Sequence, residues 1–202
     1  RIKSLTSGDF SSQLLAVEKP PDQYVPDVIL YCVKAYHNEE ACEVIAPTVG
    51  SQTTILSLQN GIGCGDFLNS HFGQEKVLLG AAYIEASRSE PGVVQEHGGE
   101  CRIALGDQSG NLTDRAVMVR NLLKDCKINH HLSEDIMSDI WKKLVFISAL
   151  SGMSCITRSR FEEVLDDEAL NKMTLAVMHE TRAAGTASGV VLPSDIVETT
   201  MA

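Results

Sequence analysis

DVILYCVKAYHNEEACEVIAPTVGSQTTILSLQNG, residues Asp27 to Gly61, is the stretch on which the fold turns. Its opening run, Asp27 to Lys34, is continuously apolar and β-prone, the pattern of a strand buried on both faces in a parallel sheet. Asn38 is placed to cap a following helix. Glu39 and Glu40 fall in that helix's first turn, where carboxylates face the positive end of the dipole, and Pro47 and Gly50 end it. Thr53 to Gln59 then reads as a second strand. Strand, helix and strand in that order need a right-handed crossover, which predicts an α/β, doubly wound layer. Ligands in such sheets gather at the carboxyl ends of the strands, and Lys34 and Asn60 stand there. Each has a plain structural reading as well, Lys34 as a surface charge and Asn60-Gly61 as a turn signal. The glycines of Asn60 to Asp66 fail the G-x-G-x-x-G phosphate pattern because position 66 is aspartate. They predict a tight turn into a short helix around Phe67 to Phe72.

Outward from this unit, Arg1 to Phe10 reads as extended chain around a turn at Ser7-Gly8-Asp9. Gln13 to Val17 adds a short strand, and Glu18 to Pro26 is a proline-rich connection. Downstream, Val77 to Ser87, Gly92 to His97 and Cys101 to Leu105 are strand-like runs broken by Pro91-Gly92 and Gly98-Gly99, which predicts hairpins extending the sheet antiparallel. A helix over Thr113 to Cys126 and a last strand over Lys127 to Leu132 follow. Everything beyond Leu132 reads as helical, so residues 1–132 and 133–202 are expected to be separate domains. Ser133 is the expected N-cap of a helix through Ile136, Ile140, Leu144 and Ile147, and the uncharged run from Leu144 to Thr157 predicts that it is long and buried. Lys143 would then sit at its mouth. Lys143, Ile147 and Ser151 are four apart and share a face, presenting an ammonium, an apolar group and a hydroxyl to one ligand. Further helices are expected over Phe161 to Leu165, Asn171 to Ser188 and Ser194 to Ala202.

Composition narrows the function classes. A net charge of −10 argues against nonspecific nucleic-acid or anionic-membrane binding. The uncharged run after Lys143 is shorter than the ~18 residues a bilayer span requires. The six cysteines, at 32, 42, 64, 101, 126 and 155, form no Cys-x-x-Cys pair and several lie in apolar runs, so buried reduced thiols in a cytoplasmic protein are expected, with no metal site.

In sequence, DVILYCVKAYH, LSLQNGIG, EPGVVQEHGG and DIMSDIWKKLVFISALSG resemble the ketopantoate reductase family across nearly the whole chain. The resemblance implies a Rossmann-like domain followed by an all-α domain, with the active site in the cleft between them. It also implies NADPH-dependent reduction of 2-dehydropantoate, a small-molecule 2-keto acid as partner, and a homodimer. By position, Lys143 resembles the family's catalytic lysine, and Asn60 the asparagine that meets both cofactor and substrate. Lys34 and Ala86 match residues near the cofactor, while Ile147 and Ser151 stand at substrate-facing positions where family members often carry asparagine. The same resemblance places the family's first strand and Gly-rich loop before Arg1 and its distal substrate residues after Ala202. Arg1 to Ala202 alone is therefore expected not to turn over.

Overall fold

The computed structural model describes residues 1–201, and the chain divides into two compact units. One comprises Arg1–Gln59 with Gly63–Glu134, the other Asn60–Ile62 with Asp135–Ala202. Ala202, the last residue of the expected Ser194 to Ala202 helix, lies outside the described residues.

The first unit is built on a five-stranded sheet. Strands β2 (Val28–Tyr31), β3 (Thr54–Ser57) and β4 (Val77–Tyr83) run parallel; β7 (Arg102–Gly106) joins β4 antiparallel and β8 (His130–Leu132) joins β7 parallel. The sheet is covered where apolar faces coincide. Leu56, Leu78 and Leu105, one from each of three adjacent strands, pack with Ala116, Val119 and Leu123 of α3 (Asp114–Asp125). Thr113 starts α3 by accepting a hydrogen bond from the Ala116 amide, and Arg115 fastens the helix to the amino end of β3 through the carbonyls of Ser51, Gln52 and Thr53 at 2.6–2.9 Å. The crossover from β2 to β3 passes through a tight turn at Ala35–His37 and α1 (Asn38–Ile45); α2 (Cys64–Phe72) follows β3.

Several expectations change in this unit. β2 is shorter than the apolar run and lies at the sheet edge, with Leu30 56% exposed, so it is not buried on both faces. A uniformly apolar run carries no periodicity that could tell an edge strand from a central one. Asn38 makes no cap. It is the first helical residue, and its side chain is buried against Tyr31 and Gln59. Gln13 to Val17 forms no strand. The glycine-punctuated hairpin of β5 (Ala86–Glu90) and β6 (Val93–Glu96) is antiparallel as expected, yet it belongs to a second, three-stranded sheet in which β6 also pairs parallel with β1 (Ile2–Ser4). A buried carboxylate ties that sheet together. Glu96 accepts from Ser4 Oγ at 2.6 Å, from the Thr6 amide and hydroxyl at 3.0 Å each, and from the Gly98 amide. These donors, Ser4 foremost, hold its pKa down to about 2.

The second unit is helical: α4 (Ile136–Thr157), α5 (Phe161–Asp166), α6 (Glu168–Ala187) and α7 (Ile196–Met201). Asp135, not Ser133, caps α4, its carboxylate accepting from the Ser138 amide at 3.0 Å. Ile136, Trp141, Val145, Ala149 and Met153 form a buried stripe, and Val145 and Ala149 join Met178 of α6 and Ile196 and Val197 of α7 in one core. α6 approaches closely at Gly185, where a Cβ would lie 2.9 Å from the Trp141 ring. The expectation of a wholly buried α4 is corrected. Ser151, Gly152, Cys155 and Ile156 are exposed, because absence of charge marks a helix as apolar without saying how many sides are covered. The bound on membrane-length segments was also drawn too tightly, since α4 has 22 residues and a window of mean hydropathy 1.2. Asp139, Lys142 and Lys143 in its first two turns, with the stripe packed on α6 and α7, suit the core helix of a folded unit. The cysteines differ too: Cys42 and Cys64 are buried, but Cys32, Cys101, Cys126 and Cys155 are exposed.

Candidate active site

Lys143 is carried on the side of α4 away from the Trp141–Met153 stripe, since two residues past Trp141 is more than half a helical turn. It is half-buried, and desolvation of the ammonium pulls its pKa below the ordinary lysine value. Its Nζ donates to Asn60 Oδ1 at 2.7 Å. Residues 83 apart in the chain are thus joined by one charge-assisted bond within the second unit. The neighbouring Lys142 is different, with its Nζ bonded to Asp139 at 3.2 Å one turn back.

Asn60 comes into place because the chain reverses sharply after β3. Gly61 and Gly63 take φ of +96° and +84°, values that side-chain-bearing residues rarely adopt, and α2 starts immediately afterwards. An amide whose oxygen accepts from an ammonium keeps its Nδ2 hydrogens as donors.

Ile147 follows Lys143 by one turn and is half-buried; Ser151, one turn further, is exposed. Lys34 lies three residues beyond the end of β2, extended and exposed, with its carbonyl accepting from the His37 amide at 2.8 Å. Ala86 opens β5 opposite Glu96 and is exposed. Lys143 and Asn60 are thus in direct contact, while Lys34 and Ala86 stand separately in the first unit.

Sequence reading passed over the polar cluster beneath the ends of β2 and β3. Gln59 Nε2 donates to the Val33 carbonyl and to Asn38 Oδ1, both at 2.8 Å, and Gln59 Oε1 accepts from Ser57 Oγ at 3.3 Å. The Tyr31 hydroxyl lies 3.2 Å from the Asn38 carbonyl oxygen and 3.3 Å from its Oδ1. Around it are the Cys42 and Cys64 thiols, whose pKa values burial pushes up. The available signal was an amide closing an otherwise apolar strand.

The amino end of α2 does not suit a pyrophosphate, because Asp66 occupies its first turn and Cys64 and Gly65 are buried.

The model of the family described as ketopantoate reductase PanE/ApbA matches residues 1–110, and the model of its C-terminal part matches residues 135–202. A 2-dehydropantoate 2-reductase of Mesorhizobium japonicum is 24% identical over 198 residues, which cover 88% of this chain and 60% of the relative. Across the first three curated relatives the chain spans 47–60% of their length. The crystal structure of 2-dehydropantoate 2-reductase from Geobacter metallireducens superposes with a TM-score of 0.89 at 25% identity, covering 98% of this chain and 68% of that one. The ternary structure of D-mandelate dehydrogenase with NADH and anilino(oxo)acetate shares the fold at a TM-score of 0.80 and 21% identity, over 90% of this chain and 58% of that one. The two family models together account for well over half of the residues, and the chain belongs to the ketopantoate reductase family.

Proposed function

We propose that this chain carries the proton-donating centre of an NADPH-dependent reductase that converts 2-dehydropantoate to pantoate. The observation that carries the reading is the 2.7 Å bond between Lys143 Nζ and Asn60 Oδ1 on a partly desolvated lysine. A nicotinamide cofactor, when bound, would supply the hydride for C2 of the keto acid. As the C–O π bond breaks, the oxygen gains negative charge and takes a proton from Lys143. Lys143, left neutral, recovers a proton from solvent. Desolvation makes that proton easier to give, and Asn60 fixes the direction in which the ammonium points. Asn60 Nδ2 would steady the carboxylate or hydroxyl end of the substrate, with Lys34 and Ala86 on the cofactor's nicotinamide side. Family membership supports NADPH as the cofactor. The partner is a small-molecule 2-keto acid; a homodimer and a cytoplasmic setting belong to the same reading, with sedimentation and cell fractionation as their tests.

In the intact protein, Lys143→Ala is expected to cut kcat for NADPH-driven reduction by about 10²- to 10⁴-fold, the range for a lost general acid, with cofactor affinity little changed. Lys142→Ala should stay active. Activity lost in Lys142→Ala and kept in Lys143→Ala would transfer the role to the other lysine.

Ile147 and Ser151 favour a second reading, in which the substrate is a 2-keto acid with fewer hydroxyls than ketopantoate. A methyl-rich side chain one turn from Lys143 offers no donor to a substrate hydroxyl, and the fold neighbour D-mandelate dehydrogenase was solved with an aryl-bearing oxo acid derivative. Comparing kcat/KM for ketopantoate and its deoxy analogue decides between them: strong preference for ketopantoate rejects this reading.

A further inference from the structure

Gln59 stands where two strand ends and one helix start meet. One side-chain nitrogen reaches both the Val33 carbonyl, one residue before Lys34, and Asn38 Oδ1, at the start of α1, each at 2.8 Å. Its oxygen is taken by Ser57. Asn38 is 7% exposed and Ser57 3%, so the bonds are partly shielded from water, and losing the donor takes a partner from the Val33 carbonyl and from Asn38 Oδ1. No backbone ladder performs this task so far along the strands: β2 and β3 end at Tyr31 and Ser57, and the last backbone bond joining them is Leu58 N–H to Tyr31 O at 3.0 Å. Beyond it, among the described residues, the Gln59 amide is what bridges the two segments that run on into Lys34 and Asn60.

We propose that Gln59, seated on Asn38, is a positioning residue that clamps the carboxyl ends of β2 and β3 and so sets where Lys34 and Asn60 are presented. The inference rests on the reading of Lys34 and Asn60 as cofactor residues for its consequence in binding, though not for the clamp. Gln59 makes no contact with cofactor in this account; it acts through the backbone of Val33 and of Asn60, to which it is peptide-bonded.

The chemistry of the clamp is directional. Both partners reached by Nε2 are oxygens, so Gln59→Glu, of the same shape, would turn an acceptor toward two acceptors and should be at least as damaging as Gln59→Leu. Gln59→Asn keeps the amide on a shorter stem and should be milder. Arg115→Leu serves as control, because Arg115 fastens the opposite, amino end of β3.

The test uses amide hydrogen exchange and steady-state kinetics on the intact protein. In Gln59→Leu, the amides of Leu58 and His37 at the carboxyl ends should exchange at least about tenfold faster relative to Thr54 at the amino end, since local opening is set by local bonds. KM for NADPH should rise about tenfold with a smaller change in kcat, within what a displaced binding group can cost. Arg115→Leu should speed Thr54 exchange and leave KM unaltered. Should Gln59→Leu not fold, the same comparison is made with Gln59→Asn. Unchanged relative exchange at Leu58 and His37, or an equal KM shift in Gln59 and Arg115 variants, overturns the proposal. Wild-type protein that binds no nicotinamide cofactor overturns the functional reading instead, while the exchange pattern still decides the clamp.

Discussion

The two units hold their shape by different means. In the first, buried polar side chains are frequent: Asn38, Thr48, Thr53, Thr54, Ser57, Glu96 and Asp107 all lie inside, and most are bonded to residues on other segments or at segment ends. In the second, the buried polar side chains among the described residues are Ser138, which donates to the Val191 carbonyl at 3.1 Å, and Thr174, which returns its hydroxyl to the Leu170 carbonyl one turn back. The sheet unit is therefore located largely by directed bonds at its strand ends, and the helical unit chiefly by the volume of its apolar stripe. A directed bond fails at a place, whereas a packed stripe fails by degrees. The packing that holds α4 says nothing about where a lysine on its other side points, and the Asn60 amide gives Lys143 that direction.

The comparison breaks first, and most heavily, in the helical core. Met178→Ala should destabilise the second unit by about 2–5 kcal/mol, the range for a buried side chain truncated to leave a cavity. Chemical denaturation measures it, and a loss below that of a surface substitution would mean that packing does not dominate there.

Glu96→Gln attacks the other unit. All four groups facing Glu96 donate, so an amide presents hydrogens to at least one of them, and the stability of the β1–β6–β5 sheet should fall at neutral pH. The pH dependence has a definite sign. The folded carboxyl titrates near 2 against an ordinary 4.5, so the contribution is fully present above about 4.5 and lost as pH falls through about 2. The gap between wild type and Glu96→Gln should accordingly close in acid; a gap that stays constant to pH 2 would remove Glu96 from the account.

Asn60→Asp sharpens the tether on Lys143 in the helical unit. A carboxylate beside Lys143 stabilises the ammonium and raises its pKa, so the alkaline limb of the kcat–pH profile, where rate falls as the lysine deprotonates, should move to higher pH. A limb that does not move would separate the rate from Lys143. The smallest effect is at a helix start. Asp135→Ala should cost about 1 kcal/mol as a lost N-cap, and Ser133→Ala less. The reverse order would restore the cap read from sequence.

What could be read beforehand, and what could not, divides along the same line. The parallel strands around Ile29 and Ile55, the turn at Asn60-Gly61, the Thr113 helix start and the long helix through Lys143 are set by composition and spacing within a dozen residues. The partners of Asn38 and Gln59 are not, because an amide at a strand or helix end has the same local signature whether it caps, turns or clamps. Ser133 and Asp135 are both good caps two positions apart, and which one serves depends on where β8 lets the chain go. The hairpin's departure into a second sheet depends on Ile2 to Ser4, more than 80 residues away in sequence. Lys143 and Asn60 were singled out by position and resemblance; their contact is tertiary and had no local sign.

The close fit of Gly185 against the indole of Trp141 has a practical consequence. Trp141 is the single tryptophan, 4% exposed and wholly within the helical unit, while all four tyrosines, Tyr24, Tyr31, Tyr36 and Tyr83, belong to the sheet unit. Excitation at the red edge of the absorption band therefore lights only one of the two bodies, and tyrosine emission or near-ultraviolet dichroism weights the other. The molecule carries its own pair of optical labels, so whether its two halves melt together or in sequence can be read from unmodified protein by comparing two wavelengths.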